Sequence, residues 1–436
     1  MAAPARPTSC PPPQGILSPL VGKRVLLLQG PNGPFFARLA EELRARGSRV
    51  TKVNFNSGDD LFYRGGDLVR FNAPMATWPT FCRDLMVDRG IEAVVVYGDQ
   101  RPIHRQAVAA ARELELLVLA LEEGYLRPDF VTIERDGANA NSSLPKDPDF
   151  YRNAAAQLPE PPPAVPMGNT FRPHAWLTTF HSVAFTWLSH RYPHYQHHRD
   201  INCFKEAFFW SRSGIRKVWY ARRERGELER LTGPGAPPFF LVPLQVHCDS
   251  QLQHSSYSSM GEFIDEVVAS FAAHAAPDTQ LVVKHHPHDR GYTDYTRRLE
   301  RLAERHDLGE RLHYVHDIHL PTLLKQARGV VTMNSTVGLS ALHHRAPVKV
   351  LGRAVYDMPD LTSQRSLAEF FVDPGEVDRK LVHDFMAYLR ATNQVNGSFY
   401  KRTPGFLECG LSPEALGEPA RYDLLPHGPT NPRTTS

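Results

Sequence analysis

Short apolar runs of strand length alternate with amphipathic helical patterns in two long parts of the chain. In the first part, apolar runs over residues 24–28, 49–55, 92–97 and 116–121 alternate with helical patterns over 34–46, 77–89 and 102–113. Continuous Val- and Leu-rich strands separated by helices are typical of a parallel sheet that is covered on both faces. This rhythm predicts a Rossmann-like domain over residues 22–144.

The same rhythm resumes later in the chain. Apolar runs over 239–244, 281–284, 312–315, 329–333 and 348–351 predict a second Rossmann-like domain over 236–375. The other segments are predicted as a flexible N-terminal tail over 1–21, a Pro-rich linker with an aromatic, basic helical region over 145–235, a C-terminal helix over 376–403 and a disordered tail over 404–436. We therefore expect an α/β fold of GT-B-like architecture, with two doubly wound Rossmann-like domains that face each other across a cleft. Nucleotide-sugar glycosyltransferases, sugar-nucleotide epimerases and some binding proteins share this architecture, so the fold alone does not decide the function.

Composition narrows the function classes. Lys and Arg number 50 against 47 Asp and Glu, and the resulting formal charge of +3 is too small to indicate a nucleic-acid binder. No apolar run approaches the roughly 20 residues that cross a bilayer, and the Pro-rich start does not resemble a secretory signal, so we expect a cytoplasmic protein. The cysteines are five in number and widely spaced, which predicts reduced thiols: Cys10, Cys82, Cys203, Cys248 and Cys409.

A Gly- and Pro-rich turn follows the first strand of the first domain. It contains Gln29, Gly30 and Asn32, and it leads directly into a helix. Backbone N–H groups at such a turn can bind an anion, and an unliganded tight turn is the alternative interpretation. Neither the GxGxxG nor the GxxxxGK[ST] pattern occurs, which disfavours a dinucleotide or P-loop site.

Charged side chains follow the third and fourth strands of the first domain. The third strand leads into Asp99, Arg101 and His104, and the fourth ends at Glu122, Glu123 and Arg127. All six residues belong to one edge of one sheet, where ligands of doubly wound folds bind. We interpret them as candidate catalytic groups, with ordinary surface charge as the alternative.

The second domain offers candidate phosphate ligands at two strand ends. After the second strand, Lys284, His286 and His288 alternate along what the sequence predicts to be extended chain, so they would share a side. The alternatives are a metal site and a polar strand end that binds no ligand. After the fourth strand comes a polar cluster that caps a predicted helix, with or without a bound phosphate: Asn334, Ser335, Thr336 and Gly338.

The segment between the domains mixes aromatic and basic residues. A helix of this composition can lie on an anionic membrane surface, and the contact residues would be Trp210, Arg216, Lys217, Trp219, Arg222 and Arg223. An inter-domain packing helix with a solvated basic face is the alternative, while no RNA-binding signature accompanies the segment. The nearby His194, His197 and His198 are interpreted as surface residues in preference to a metal-ligand set.

Five segments, taken together and in this order, resemble a known family. They are LLLQGPNGPFF, VVVYGDQRPIHRQAV, LEEGYLRPDFVTIE, VVKHHPHD and VVTMNSTVGLSALHHRAPVKVLG, and they span about residues 24 to 360. They resemble the capsule polysaccharide synthesis and export family of Gram-negative bacteria, in particular its KpsS-type β-Kdo transferases. The resemblance implies a retaining transferase that moves the acidic sugar Kdo from CMP-Kdo to phosphatidylglycerol, which initiates the Kdo linker of a capsule.

The resemblance also implies a setting for the enzyme. It would act peripherally at the inner face of the cytoplasmic membrane, without a metal cofactor and without nucleic acid. Its partners would be the phosphatidylglycerol surface and the capsule synthesis and export machinery, including a second Kdo transferase. A different GT-B enzyme, such as a sugar-nucleotide epimerase or a polyol-phosphate transferase, and a non-catalytic scaffold of capsule export are the alternatives.

Site residues follow from the resemblance position by position. The nucleophilic carboxylate of the family lies in a Glu-Asp-Gly motif, which matches Glu123 with Glu in place of Asp. A Lys-x-His-Pro motif matches Lys284 and His286 and implies contacts to the donor phosphate or carboxylate. The Ser- and Thr-rich turn matches residues 334–338, whereas Ser340 stands where many GT-B relatives carry a ribose-binding Glu.

Further roles are assigned from the chemistry that this reaction requires. Asp99 or His104 would activate the acceptor hydroxyl, and Arg101 and Arg127 would bind the sugar carboxylate.

Overall fold

The computed structural model describes residues 15–158, 163–197, 202–247 and 255–402. The predictions for residues 1–14 and 404–436, and those for Cys10, His198, Cys248 and Cys409, lie outside the described residues. Cys82 is buried and Cys203 is partly exposed.

The described strands and helices follow the predicted alternation and add elements to it. The strands are β1 (Arg24–Leu27), β2 (Arg49–Asn54), β3 (Asp67–Arg70), β4 (Ala93–Tyr97), β5 (Leu117–Glu123), β6 (Phe130–Arg135), β7 (Phe239–Pro243), β8 (Gln280–Lys284), β9 (Leu312–Val315), β10 (Gly329–Thr332), β11 (Val348–Val350) and β12 (Gln394–Asn396). The helices are α1 (Phe35–Ala45), α2 (Ser57–Phe62), α3 (Trp78–Asp88), α4 (Pro102–Glu113), α5 (Pro148–Ala155), α6 (Phe171–Trp187), α7 (Cys203–Arg223), α8 (Glu227–Thr232), α9 (Met260–His274), α10 (Thr296–Arg305), α11 (Leu320–Gln326), α12 (Val337–His343), α13 (Leu367–Val372) and α14 (Arg379–Thr392).

The chain forms two compact units, each built on one sheet. The first unit contains the sheet of order β12-β6-β5-β4-β1-β2-β3, in which β1 to β5 run parallel while β6 is antiparallel to both of its neighbours. The second unit contains the all-parallel sheet of order β11-β10-β7-β8-β9. Each sheet changes direction beside its first strand, as doubly wound folds do. The prediction of two Rossmann-like α/β domains is confirmed.

Alternation along the strands explains how the first unit forms its core. Val25 and Leu27 of β1 pack into one apolar cluster with α1, whereas Leu26 packs into a second cluster with Trp78 of α3. Because successive side chains of a strand point to opposite faces, a run without polar residues must be covered on both sides. In the second unit, Phe240 and Val242 of β7 pack in the same way against helices on one face of the sheet.

The division of the chain differs from the predicted domain boundaries. The predicted segment 145–235 is not one linker region, because the described residues of 139–161 and 197–389 group with the second unit while those of 162–196 and 390–402 group with the first. The described part of the predicted N-terminal tail is also ordered, since Leu17 and Leu20 are fully buried in the first core. The predicted C-terminal helix ends at Thr392, and β12 then pairs with β6, which returns the chain to the first unit.

The structure contains no membrane-crossing element in its described part. None of the helices in the described residues combines the length and the apolar character that a bilayer span requires.

Candidate functional site

Two adjacent glutamates end β5 in the first unit. One carboxyl oxygen of Glu123 accepts hydrogen bonds from the hydroxyls of Tyr97, at 3.1 Å, and Tyr400, at 2.8 Å. Tyr97 ends the neighbouring strand β4, and Tyr400 follows β12 near the end of the described chain. The two hydroxyls fix the position of this carboxylate at the edge of the sheet. The sequence prediction contained Glu123 and missed Tyr400, because nothing local in the sequence connects residues so far apart.

Glu122 precedes Glu123 on the strand and lies in a different environment. Burial, followed by the negative charge of Glu123, raises the pKa of Glu122 to about 7, although the guanidinium of Arg101 acts in the opposite direction. A carboxyl with a pKa near neutrality is suited to giving and taking a proton during a reaction. The two glutamates therefore combine a carboxyl group whose position is fixed with one whose pKa lies near neutrality, which suits them to a nucleophilic and an acid-base role.

The glycine after the two glutamates has a packing reason. A Cβ atom at Gly124 would lie 2.1 Å from the backbone oxygen of Phe130, which belongs to the antiparallel partner strand β6. Glycine at this position therefore leaves room for the backbone of β6 directly after the two glutamates.

Gln29, at the end of β1, organises a second polar cluster on this sheet edge. Its amide nitrogen donates to Asp59 at 3.2 Å, and its amide oxygen accepts from the guanidinium of Arg101 at 3.1 Å. The Tyr195 hydroxyl also lies 3.1 Å from the amide nitrogen. This arrangement gives the Gln29 amide one orientation and holds Arg101 in place, and Arg101 also lies over the Tyr97 ring at 5.3 Å.

The Asp59 carboxylate that binds Gln29 is stabilised by the buried Lys52. Burial opposes ionisation of Asp59, but the hydrogen bond from His181 and the charge of Lys52 outweigh it and lower the pKa of Asp59 to about 2. Burial lowers the pKa of Lys52 to about 8 against the attraction of Asp59 and Asp60. Asp59 is therefore a carboxylate at neutral pH and accepts from Gln29. Sequence reasoning missed Asp59, Lys52 and His181 because they lie on elements with no recognisable motif.

The structure places the other predicted residues of the first unit in different surroundings. Asp99 accepts from the backbone N–H of Ala138 at 3.3 Å, and the fully buried His104 contacts the Gly98 carbonyl oxygen through Nδ1 at 2.6 Å. Burial and the nearby Arg101 lower the pKa of His104 to about 3, so its ring is neutral. Both side chains are buried, so neither is placed to activate an acceptor hydroxyl. Arg127 is exposed and donates to the Gly124 carbonyl at 3.2 Å.

The predicted anion loop packs against the first unit itself. The Asn32 amide donates to the Thr178 hydroxyl of α6 at 3.3 Å, and a Cβ atom at Gly30 would lie 2.8 Å from the Phe36 ring. Packing of the α1 side chain Phe36 therefore explains Gly30. Gln29 contributes to the polar cluster through its side chain.

In the second unit, the predicted cationic edge after β8 does not form as expected. Lys284 is buried and donates to the backbone oxygen of His316 at 2.8 Å, and burial lowers its pKa to about 8. The backbone is still extended at His286, whose side chain caps a 3-10 turn over Pro287–Asp289. Alternation therefore ends at His286, and His288 lies within the turn. The three side chains do not form one exposed cationic row, because Lys284 is buried and His288 lies beyond the extended chain.

The polar cluster after β10 contacts its own unit. Asn334 accepts a hydrogen bond from Gln245, which follows β7, at 2.8 Å. Ser335 accepts from the backbone N–H of Val337 at 3.2 Å, whereas Thr336 makes no side-chain cap. A Cβ atom at Gly338 would lie 2.1 Å from the Tyr356 hydroxyl. The Gln245–Asn334 pair, which joins the ends of the two central strands β7 and β10, was not predicted.

Helix α7 has an anchored face and an exposed face. Arg216 donates to the backbone oxygens of Arg290, at 2.8 Å, and Thr293, at 3.0 Å, and it pairs with Asp294, so it is not available to a membrane as predicted. The exposed surface of the helix carries large apolar side chains: Phe204, Phe208, Ile215, Val218 and Trp219. Lys217, Arg222 and Arg223 are exposed, and Arg223 lies 5.1 Å from the Trp219 ring. Trp210 is 40% exposed and donates to Glu206 at 3.2 Å.

Among the described residues, no three His, Cys, Asp or Glu side chains are grouped as a metal site would require.

The two doubly wound sheets, with carboxylates at one strand edge and a polar pair at the switch point of the other, define an α/β protein of the two-Rossmann class. Residues 92–400 match the family described as capsule polysaccharide biosynthesis protein, and the chain belongs to that family. This confirms the family predicted from the five sequence segments.

Individual relatives agree with this assignment. The chain is 40% identical over 386 residues to the capsule polysaccharide export protein KpsS of Escherichia coli, which covers 87% of this chain and 98% of the relative. It is 41% identical over 386 residues to the capsule polysaccharide modification protein LipB of Neisseria meningitidis serogroup B, with 87% and 92% covered. Among solved structures, the KpsC β-Kdo 2,7 transferase of Thermosulfurimonas dismutans is similar with a TM-score of 0.38 and 14% identity, and the match covers 84% of this chain and 99% of that one.

Proposed function

We propose that this protein is a retaining β-Kdo transferase, which moves Kdo from CMP-Kdo to a phosphatidylglycerol acceptor and so initiates the Kdo linker of a capsular polysaccharide. Membership of the capsule polysaccharide biosynthesis family supports the process, and the observation that carries the chemistry is the Glu122–Glu123 pair at the end of β5. Retention requires two successive displacements at the anomeric carbon, and a pair of carboxyl groups with separate roles supplies what they need.

In the first displacement, Glu123 is the nucleophile. Its carboxylate, fixed by Tyr97 and Tyr400, forms a bond to the anomeric carbon as the bond from that carbon to the CMP phosphate breaks. The electron pair of the broken bond leaves with the phosphate oxygen. In the second displacement, the acceptor hydroxyl attacks the same carbon, its proton passes to Glu122, and Glu123 is released as a carboxylate.

Arg101 is assigned to the carboxylate of the sugar. Gln29 and the Tyr97 ring hold its guanidinium, and guanidinium groups bind carboxylates with two parallel hydrogen bonds. Asp99 and His104 are not assigned a proton-transfer role because both are buried. The second unit is assigned the CMP group, with Gln245 and Asn334 at the carboxyl ends of β7 and β10, where doubly wound sheets bind nucleotides. The proposal includes no metal cofactor, since hydrogen-bond donors and positive charges can stabilise a leaving phosphate.

Helix α7 is assigned to the membrane surface that holds the lipid acceptor. Its exposed face combines apolar side chains with Lys217, Arg222 and Arg223, which is the composition of helices that lie at an anionic bilayer surface. Peripheral attachment at the inner face of the cytoplasmic membrane, and cooperation with a second Kdo transferase and the capsule export machinery, belong to the same proposal.

The proposal is tested with purified protein, CMP-Kdo generated in place and fluorescent phosphatidylglycerol, with products read by mass spectrometry. The wild type is expected to yield a lipid carrying one Kdo, and Glu123→Gln to yield none. Glu113→Gln is the matched control, because this glutamate belongs to the same unit and its side chain is 69% exposed. Product from Glu123→Gln at the wild-type rate would exclude the nucleophile assignment. A folded wild type that forms no product and whose melting temperature does not respond to CMP would favour a non-catalytic capsule export role.

A further inference from the structure

We propose that His247 and Asp289 form an acid dyad in the second unit, in which His247 protonates the phosphate that leaves the nucleotide-sugar donor. This inference rests on the proposed function and adds a catalytic group that the sequence did not indicate. Asp289 ends the VVKHHPHD segment, three residues after His286, whereas His247 belongs to none of the motifs in the sequence.

The geometry of the pair is that of a carboxylate that orients an imidazole. The His247 Nδ1 lies 2.6 Å from one oxygen of Asp289, and the other oxygen accepts from the His247 backbone N–H at 3.0 Å and from the Thr293 hydroxyl at 2.9 Å. Asp289 is 1% exposed, so its carboxylate satisfies its hydrogen bonds inside the protein. Because Nδ1–H donates to Asp289, Nε2 is the nitrogen that can meet a ligand.

Exposure distinguishes His247 from a structural histidine. Its side chain is 38% exposed although its backbone and Nδ1 are both fixed by a buried acid. The second unit contains a useful contrast in His316, whose Nδ1 lies 2.7 Å from Glu224 but whose side chain is only 4% exposed and stacks on Tyr220 at 3.5 Å. The His316–Glu224 pair is therefore buried, whereas the imidazole of the His247–Asp289 pair is accessible to a ligand.

The position of His247 indicates what it would meet. It follows β7 by four residues, and Gln245, two residues before it, binds Asn334 at the end of β10. In a sheet of order β11-β10-β7-β8-β9, the chain changes direction between β7 and β10, and ligands of doubly wound folds bind at the carboxyl ends of the strands at this point. An accessible imidazole there is suited to the phosphate of a bound nucleotide.

The proton balance of the step is complete with this dyad. The imidazolium of His247 gives its Nε2 proton to the phosphate oxygen as the bond between that oxygen and the anomeric carbon breaks, and the carboxylate of Asp289 stabilises the charged ring beforehand. The neutral ring takes up a proton from water after CMP has left. The titratable groups that face the ring are Asp289 and Tyr292, whose ring centre lies 5.8 Å away.

Transfer kinetics test this role with four proteins: wild type, His247→Gln, Asp289→Asn and, as a matched control, His316→Gln. We expect His247→Gln to lower kcat by about a hundredfold, because general acids contribute a hundredfold or more, while KM for CMP-Kdo changes less than threefold. Asp289→Asn should lower kcat to a smaller extent, and His316→Gln should leave kcat unchanged even where it lowers the melting temperature.

A second measurement does not depend on transfer. The imidazole Cε1–H signal that His247→Gln removes from the NMR spectrum is recorded with and without CMP, and a contact to the phosphate should move that signal. A wild type that transfers Kdo while His247→Gln keeps kcat within threefold, or a signal that CMP leaves unchanged, would overturn the dyad and leave the proposed function standing. A wild type that binds CMP without transferring Kdo would overturn the proposed function and the acid role together.

Discussion

Replacing Glu122 with Gln separates the two roles that the first unit assigns to its carboxyl groups. Burial, followed by the charge of Glu123, raises the pKa of Glu122 to about 7 from an ordinary value of 4.5. A group that takes the proton of the acceptor hydroxyl must be ionised, so the wild-type rate should rise with pH and level off above pH 7. Gln cannot take that proton, so the rise should disappear in Glu122→Gln.

The size of the effect follows from this pKa. Roughly one tenth of such a carboxyl is ionised at pH 6 and roughly nine tenths at pH 8, so the wild-type rate should increase about tenfold between them. A glutamate with an ordinary pKa would be ionised at both pH values and would give no increase. Loss of the base should also lower kcat at pH 8 by about a hundredfold.

The same pKa predicts a change in stability with a defined sign. Because the pKa of Glu122 is higher in the folded than in the unfolded state, the folded state binds more protons between about pH 4.5 and 7. The free energy of unfolding therefore falls as pH rises through this window, by at most about 3 kcal/mol. Gln has no charge to bury, so Glu122→Gln should be more stable than the wild type at pH 8 and equally stable below pH 4.5.

The assay measures initial rates from pH 5.5 to 8.5 with saturating CMP-Kdo and fluorescent lipid, and the melting temperature at both ends of this range. Glu113→Gln serves as the control for the loss of a carboxyl group on the same unit. Equal wild-type rates at pH 6 and pH 8, or a tenfold rise that persists in Glu122→Gln, would refute the assignment of Glu122 as the base.

Two further predictions concern packing and the membrane surface. Gly124→Ala should lower the free energy of unfolding by about 2 kcal/mol in urea titrations, because the added Cβ would meet a backbone oxygen at 2.1 Å. Gly65→Ala is the control, since a Cβ there meets nothing within 4 Å. Equal stability of both variants would contradict this prediction. Changing Lys217, Arg222 and Arg223 together to Gln should weaken binding to phosphatidylglycerol vesicles about a hundredfold in sedimentation assays, at about 1 kcal/mol per charge. The matched control changes three exposed arginines of α10 to Gln: Arg297, Arg301 and Arg305. Equal binding by both triple variants would exclude α7 as the membrane contact.

The sequence predicts strands with apolar runs well and short or polar strands poorly. The predicted bounds of α4 and β9 agree with the structure residue by residue, and those of β7 and β10 differ by one residue. Strands β7 and β10 are buried throughout, so burial and apolar composition coincide in them. In contrast, β3 carries charged residues at both ends, and β12 has only three residues, so neither shows an apolar run. Such strands are set by their neighbours in the sheet, which a local pattern does not contain.

The candidate site shows the same limit for side chains. Strand ends identified Glu122, Glu123 and Arg101 because the position of a residue at the end of a strand is a local property. Their partners come from distant parts of the chain, since Tyr400 is 277 residues from Glu123. The alternation rule failed at His288 because it holds only while the chain is extended, and a turn begins at Pro287.

Helix α7 shows how structure divides residues that the sequence groups together. Arg216 and Arg223 belong to one basic run, yet Arg216 shares the anchored face with the buried Tyr220, four residues away, while Arg223 lies beside the exposed Trp219. Composition alone therefore groups Arg216 with the exposed cations of the run, although the structure gives Arg216 partners within the second unit. A membrane role for α7 depends on the exposed face, and changing Arg216 would test the anchoring of the helix to the second unit, not its binding to lipid.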